Sequence, residues 1–350
     1  MTITIDQVAV PSPAKRLWRT WRREIIRGGV LFGLVVGGGL VIRSIKVSMP
    51  GSEALGALGA FGDFNWGDGD GGDLFGGGRQ VGDAWQYATV LKPSQHVWIR
   101  NTNGPIDVVP GMGDSIVIHV EKSWRSSSPS TVEIVPVLTE RGLTVCALWD
   151  ARDRRCGDGG DYRVNGVRKN DVAVRFTVQL PHSIPVDAST VNGALQIAGV
   201  SAPVSATTVN GRIMVNTSTG PVEATTVNGS IDAVMEKLTQ GDVRLTTVNG
   251  SLTAGLPRSI NADIDAETVN GRVETDFPVK IVGKMSTRHL RGTIGTGGPT
   301  LKLVTVNGSI TLHEAIPGSM PEPALAPHAP MPPHHGRTWV QSTPAPPARP

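Results

Sequence analysis

Asp171 to Pro181 reads DVAVRFTVQLP, with Val172, Val174, Phe176, Val178 and Leu180 on one parity and polar or small residues on the other. A period of two over this length predicts a half-buried strand. Val97 and Ile99, Ile116 to Val120, and Leu143 to Ala147 alternate in the same way, and the β region shows no helical period. The pattern predicts an all-β domain over residues 85–314.

Within that domain one phrase returns. TVNG and its close copies place Asn-Gly at Asn192-Gly193, Asn210-Gly211, Asn228-Gly229, Asn249-Gly250, Asn270-Gly271 and Asn307-Gly308. The period is about 18–21 residues, with one gap of two periods before Gly308 that RGTIG, around Gly292, is expected to fill as a degenerate copy. NTNGPIDV, with Gly104, reads as an earlier outlying copy. Such regularity is the mark of a repeat architecture.

Two geometries fit the phrase. Asn-Gly is a strong two-residue hairpin signal, because both positions tolerate positive φ. That turn would put Val191, Val209, Val227, Val248, Val269 and Val306 on the polar face. A β-arc instead joins two strands that face each other across a core, each pairing with its own copy in the next coil. It turns these valines inward and explains the near-identity of the copies, since like residues then stack about 4.8 Å apart as ladders. Leu195, Ile213, Ile231, Leu252, Val273 and Ile310, each two residues past the glycine, would form one apolar column. The expected fold is a β-solenoid, with a hairpin meander or sandwich as the alternative.

Charge alters the picture at the N-terminus. Of 33 Lys/Arg and 30 Asp/Glu, residues 1–47 hold eight basic and two acidic residues, leaving 25 against 28 in the rest. The basicity is local, which argues against nucleic-acid binding. KRLWRTWRREIIR precedes the uncharged GGVLFGLVVGGGLVI. This order predicts a basic cytoplasmic N-terminus (1–27), a single transmembrane signal-anchor helix (28–47) and export of the chain beyond residue 47. A cleaved signal peptide is the competing reading, with the same destination.

Residues 48–84 are rich in glycine and aspartate and read as a linker, and residues 315–350 as an extended proline-rich tail. DGDGGDLFG, Asp68 to Gly76, resembles a single calcium-binding nonapeptide without the neighbouring copies that complete a cage. His328, His334 and His335 in the tail read as solvated. Cys146 and Cys156, with nine residues between them, suggest one disulfide across a charged loop if the domain is exported, free thiols being the alternative.

VRFTVQLPHSIPVDASTVNG, the TVNG copies, LTVCALW and the closing RGTIGTGGPTLKLVTVNGSITL together resemble the bacterial adhesin-like family of β-strand-repeat domains, also called toastrack-like. The resemblance spans about residues 86–314. It implies an exported repetitive β domain of cell-envelope settings, with no catalytic residues to carry over.

The chain contains no GxSxG elbow, P-loop, HExxH or dinucleotide fingerprint. The loop Asp150 to Asp171 mixes Asp150, Asp153, Asp158 and Asp161 with Arg152, Arg154 and Arg155, and paired carboxylates there could do acid and base work. A solvated mixed-charge insertion explains the same residues. Asn and Thr present at every coil read as structural, and so do the N-x-S/T triplets at Asn228, Asn249 and Asn307. Trp98, Trp124 and Trp149 are candidate binding residues, since exposed aromatics on a rigid β surface can stack on sugars or contact protein.

The expectation is a non-catalytic, membrane-anchored module on the extracytoplasmic side, with an adhesin-like binding or structural role. It would need no cofactor or metal, and its partners would be an envelope protein, a glycan, or another copy through open solenoid ends. The alternatives are a sensor working through a protein partner and a β-helical carbohydrate-active enzyme.

Overall fold

The computed structural model describes residues 79–165, 169–219, 221–238, 241–282 and 286–315. The expected anchor, the calcium-like nonapeptide, most of the linker and the tail beyond residue 315 lie outside the described residues. No described helix is long and apolar enough to cross a membrane.

The chain begins with β1 (Gln80–Val90), β2 (His96–Arg100), β3 (Ile106–Pro110), β4 (Ser115–Trp124), β5 (Val132–Leu138) and β6 (Gly142–Trp149). A small hairpin, β7 (Asp153–Cys156) and β8 (Tyr162–Asn165), precedes β9 (Ala173–Leu180), the alternating segment of the sequence. The repeats then run through β10 (Val186–Ser189), β11 (Leu195–Val200), β12 (Val204–Thr207), β13 (Ile213–Thr217), β14 (Val222–Thr225), β15 (Ile231–Met235), β16 (Val243–Thr246) and β17 (Leu252–Leu256). The last part comprises β18 (Ala262–Asn270), β19 (Val273–Thr275), β20 (Val279–Ile281), β21 (His289–Ile294), β22 (Thr300–Asn307) and β23 (Ile310–Glu314).

Each repeat gives one strand to each of two sheets, and its TVNG corner carries the chain between them. One sheet has the order β1-β4-β9-β3-β11-β13-β15-β17-β23-β19, and the other β20-β21-β18-β22-β16-β14-β12-β10-β2-β6-β5. Neighbouring coils pair in parallel and in register, as in Val204↔Val222 and Ile213↔Ile231. This is the β-arc stack. The predicted column is continuous: Leu195, Ile213, Ile231, Leu252 and Ile310 are fully buried, and burying each contributes about 1.5–3 kcal/mol before entropy is subtracted. Ile106 extends the column at one end, and Val273, half-buried, ends it at the other.

Three expectations need correction. Gly292 is no coil corner: β21 runs antiparallel to both β18 and β20. The coil it was meant to supply is absent, and spatial order departs from sequence order. Asn249 neighbours Asn307, and Asn270 bonds to Asn307 from the far side. The coil of β22 and β23 therefore sits between that of β16 and β17 and that of β18 and β19.

The valine before each asparagine is not uniformly inward. Val191, Val227 and Val248 are buried, Val209 and Val306 are half-buried, and Val269 is 51% exposed. The inward residue is the threonine before it: Thr190, Thr208, Thr226, Thr247, Thr268 and Thr305 are all buried. Finally, β1 starts at Gln80, inside the span assigned to the linker.

Both ends of the stack carry antiparallel strands. β4 pairs with β9 and β1 with β4 on one sheet, and β5 pairs with β6 on the other. At the opposite end β21 covers β18. There the Arg288 and Thr287 carbonyls accept from the Thr268 and Val273 N–H groups, bonds that inside the stack go to the next coil. The outermost strands are poor templates for further pairing: β1 is bulged between Gly82 and Trp85, β5 contains Pro136, and β19 and β20 have three residues each.

Candidate functional site

The repeated residues form two hydrogen-bond ladders. The Nδ2 of Asn210, Asn228 and Asn249 donates to the Oδ1 of the preceding asparagine (Asn192, Asn210, Asn228) at 2.8 Å. Asn307 donates to Asn249 at 2.7 Å and Asn270 to Asn307 at 2.8 Å. The buried threonine hydroxyls donate to the glycine carbonyl one coil away, as Thr208 to Gly193 at 3.0 Å and Thr226 to Gly211 at 3.1 Å. Glycine is required by close approach: a Cβ on Gly211 would lie 1.9 Å from the Gly193 carbonyl oxygen, and one on Gly229 2.0 Å from that of Gly211. Gly193, Gly250, Gly271 and Gly308 meet the neighbouring coil in the same way. These residues use their polar groups on each other, which is a structural role.

Chemistry that occurs only once gathers where the repeat is interrupted. Between β6 and β9 the corner is replaced by the insertion 150–172, held by the Cys146–Cys156 disulfide with a Cα–Cα distance of 6.0 Å. Tyr162 anchors it from within, its hydroxyl donating to the Ala147 carbonyl at 2.9 Å and sharing a hydrogen bond with Thr102 at 2.7 Å. Burial pushes the Tyr162 phenol well above its ordinary range. Arg100, also buried, holds Asp187 with two nitrogens at 2.8 and 2.9 Å and the Gly160 carbonyl at 3.0 Å.

Three acidic residues of the insertion are each paired with an arginine. Asp161 is paired with Arg155, Asp153 with Arg163 at 3.6 Å, and Asp158 with Arg141 at 3.3 Å. The Thr139 hydroxyl, with Arg141 and the Gly159 backbone adding to its effect, holds the Asp158 carboxyl below its usual range against desolvation. Asp171 accepts from the backbone N–H groups of Arg125, Ser126 and Ser127 at 2.8–2.9 Å. Desolvation works to raise its pKa, but Ser127 and these backbone donors outweigh it and hold the carboxyl well below the usual range. Among the described residues no group of three or more His, Cys, Asp or Glu could hold a metal.

The candidate tryptophans are largely occupied. Trp149 is 2% exposed and belongs to the core. Trp98 stacks on His96 with centroids 4.6 Å apart, lies under the Arg141 guanidinium at 5.8 Å, and has Gly160 packed so closely that a Cβ there would come within 2.7 Å of the ring. Trp124 is half-buried against Gly82 and the core. The Nε2 of His96 is buried with no hydrogen-bond partner among the described residues. Burial lowers its pKa, Asp187 opposes that shift, and Arg100 adds to it.

Sequence reasoning passed over the aromatic that lines open space. Trp85 on β1 stacks in parallel with Tyr87, centroids 5.8 Å apart, and faces a cleft of about 710 Å³ between β1, β4 and β5. Lys122, 7% exposed, reaches into this cleft to pair with Asp83 and donates to the Pro129 carbonyl at 3.2 Å. Glu133, paired with Arg154 at 3.4 Å, and Asp150 complete the wall. Asp83 has φ 52°, the only positive value at a non-glycine among the described residues, and it sits in the β1 bulge. The available signal was the alternation in WQYATV, hidden because the preceding glycines and aspartates read as linker.

With this geometry in view, comparison with known proteins is direct. Residues 160–313 match the model of the Toastrack DUF4097 family. Among solved structures, a candidate cell-adhesion protein from Clostridium sporogenes is similar at 11% identity, covering 66% of this chain and 100% of its own, with TM-score 0.37. A candidate adhesin from Bacteroides fragilis is similar at 11% identity, over 66% of this chain and 97% of its own, with TM-score 0.29. No curated protein matches the chain. Over residues 160–313 this chain is similar to the Toastrack DUF4097 family.

Proposed function

We propose that the protein is a non-catalytic, adhesin-like binding module of the cell envelope, exported behind an anchor at residues 28–47. The observation that carries the reading is the concentration of unrepeated chemistry at one end of a rigid, repetitive stack. The insertion, its disulfide, the buried Lys122 and the cleft under Trp85 all lie among the strands beyond the first TVNG coil. A stack of coils supplies stiffness and a fixed display, while unique residues at one end supply selectivity. The Cys146–Cys156 bond supports an oxidising compartment, and the basic run before the apolar segment supports outward export of the domain.

Co-sedimentation of residues 79–315 with envelope fractions and cell-wall sacculi tests this, with released sugar assayed in the same tubes. Saturable pelleting without release is the expected result. Release of product would replace the reading with an enzymatic one, and absence of pelleting would remove it.

A further inference from the structure

We infer that the cleft between β1, β4 and β5 binds a neutral saccharide, an assignment that rests on the binding-module reading and gives it a ligand class. Three features meet at this place: a cleft of about 710 Å³, a buried lysine, and a β-bulge that carries the single non-glycine residue with positive φ among those described. Its volume lies within the range of small-molecule sites. Bulges re-aim side chains at functional positions, and residues kept in sparsely populated backbone regions cluster there. Nothing in the stacking of coils requires Asp83 to adopt such a conformation, since β1 pairs with β4 alone.

The wall chemistry selects the ligand class. Charges of both signs are present and mostly matched, Lys122 with Asp83 and Arg154 with Glu133, so the cleft offers no concentrated charge to an ion. The side chains of Asp83, Glu133 and Arg154 nonetheless remain 47%, 59% and 40% exposed. Their carboxylate lone pairs and guanidinium N–H groups stay available to a ligand that both donates and accepts, which is the property of a hydroxyl. Asp150 adds a further acceptor. Trp85, backed by Tyr87, supplies an apolar wall for the C–H face of a sugar ring.

Isothermal titration of the full-length protein with chitotetraose, cellotetraose and maltotetraose tests the inference, with tetragalacturonate as the anionic control. At least one neutral tetrasaccharide should bind with an affinity that changes less than about twofold between low and moderate salt, the range over which exposed charges become screened. Trp85→Ala should abolish this binding, and Glu133→Gln should weaken it about tenfold at an unchanged melting temperature. Glu223→Gln, on the outer face of β14, should leave it intact. Binding of tetragalacturonate alone, equal binding by Trp85→Ala and wild type, or no binding of any neutral tetrasaccharide overturns the saccharide assignment. Envelope pelleting by residues 79–315, which lack the proposed anchor, separates the two claims: if it persists without saccharide binding, only the ligand class falls, and if it too is absent, the binding-module reading falls with it.

Discussion

A methyl group on Gly229 would lie 2.0 Å from the Gly211 carbonyl oxygen, the same atom that accepts the Thr226 hydroxyl at 3.1 Å. The two residues therefore act on one acceptor, glycine by letting the coils approach and threonine by satisfying the carbonyl once they have. Gly229→Ala should destabilise the domain by about 3 kcal/mol, because the obstacle is backbone and cannot swing aside. Thr226→Val keeps the shape and removes only the donor, so it should cost about 1–2 kcal/mol. Urea unfolding of both variants measures this, and a wild-type midpoint for Thr226→Val would show that the ladder contributes nothing. The corner was legible in the sequence because every coil meets the same demand and answers it with the same letters. Which neighbour turns inward was not legible, since Thr and Val both fit a buried β position and only the carbonyl of the adjacent coil selects threonine.

Between elements, Asp171 ties the start of β9 to the segment after β4 through three backbone N–H groups. Its folded-state pKa is depressed, so the stabilisation is complete above the ordinary carboxylate range near pH 4 and is lost as pH falls below it. Between about pH 6 and pH 2 the wild type should lose about 1 kcal/mol more stability than Asp171→Asn, a figure kept small because the site is open to solvent. Urea midpoints across that range provide the check, and identical acid limbs for the two proteins would refute it. The alternation of β9 was plain in the sequence, but the single-copy strands at the ends of the stack were hard to read beforehand. β1, β5, β20 and β21 occur once each and carry no repeated phrase, and glycine-rich sequence precedes β1 and follows β21. RGTIG resembled a worn copy of the motif because a cap strand must match the pleat of the strand it covers, so pairing alone imposes a similar alternation of residues.

For the whole molecule, coil order is the feature that sequence could not supply. The coils ending in Asn270 and Asn307 carry the same motif, and either could stack on the coil of Asn249 with the same bonds. The structure places the later one inside. A chain ending at Pro299 lacks β22 and β23 and leaves Leu245 and Ile264 on one sheet, and Leu252 on the other, without the strands that separate and cover them. Such a chain should lose its cooperative thermal transition and bind a hydrophobic dye, whereas removal of the residues beyond 315 should leave the transition in place. A cooperative melt from the shortened chain would mean that the two flanking coils can close on each other directly.

The interior position of β22 and β23 also bears on the time at which the fold can be finished. In a stack built in sequence order, each new coil settles on a completed one, and a chain interrupted anywhere leaves a shorter but sound object. Here the slot is bounded on both sides by residues made earlier, and its occupant arrives last. Synthesis has to run to Asn307 before one sheet is continuous and to Glu314 before the other is, so the architecture distinguishes complete chains from interrupted ones and leaves the latter open to proteolysis.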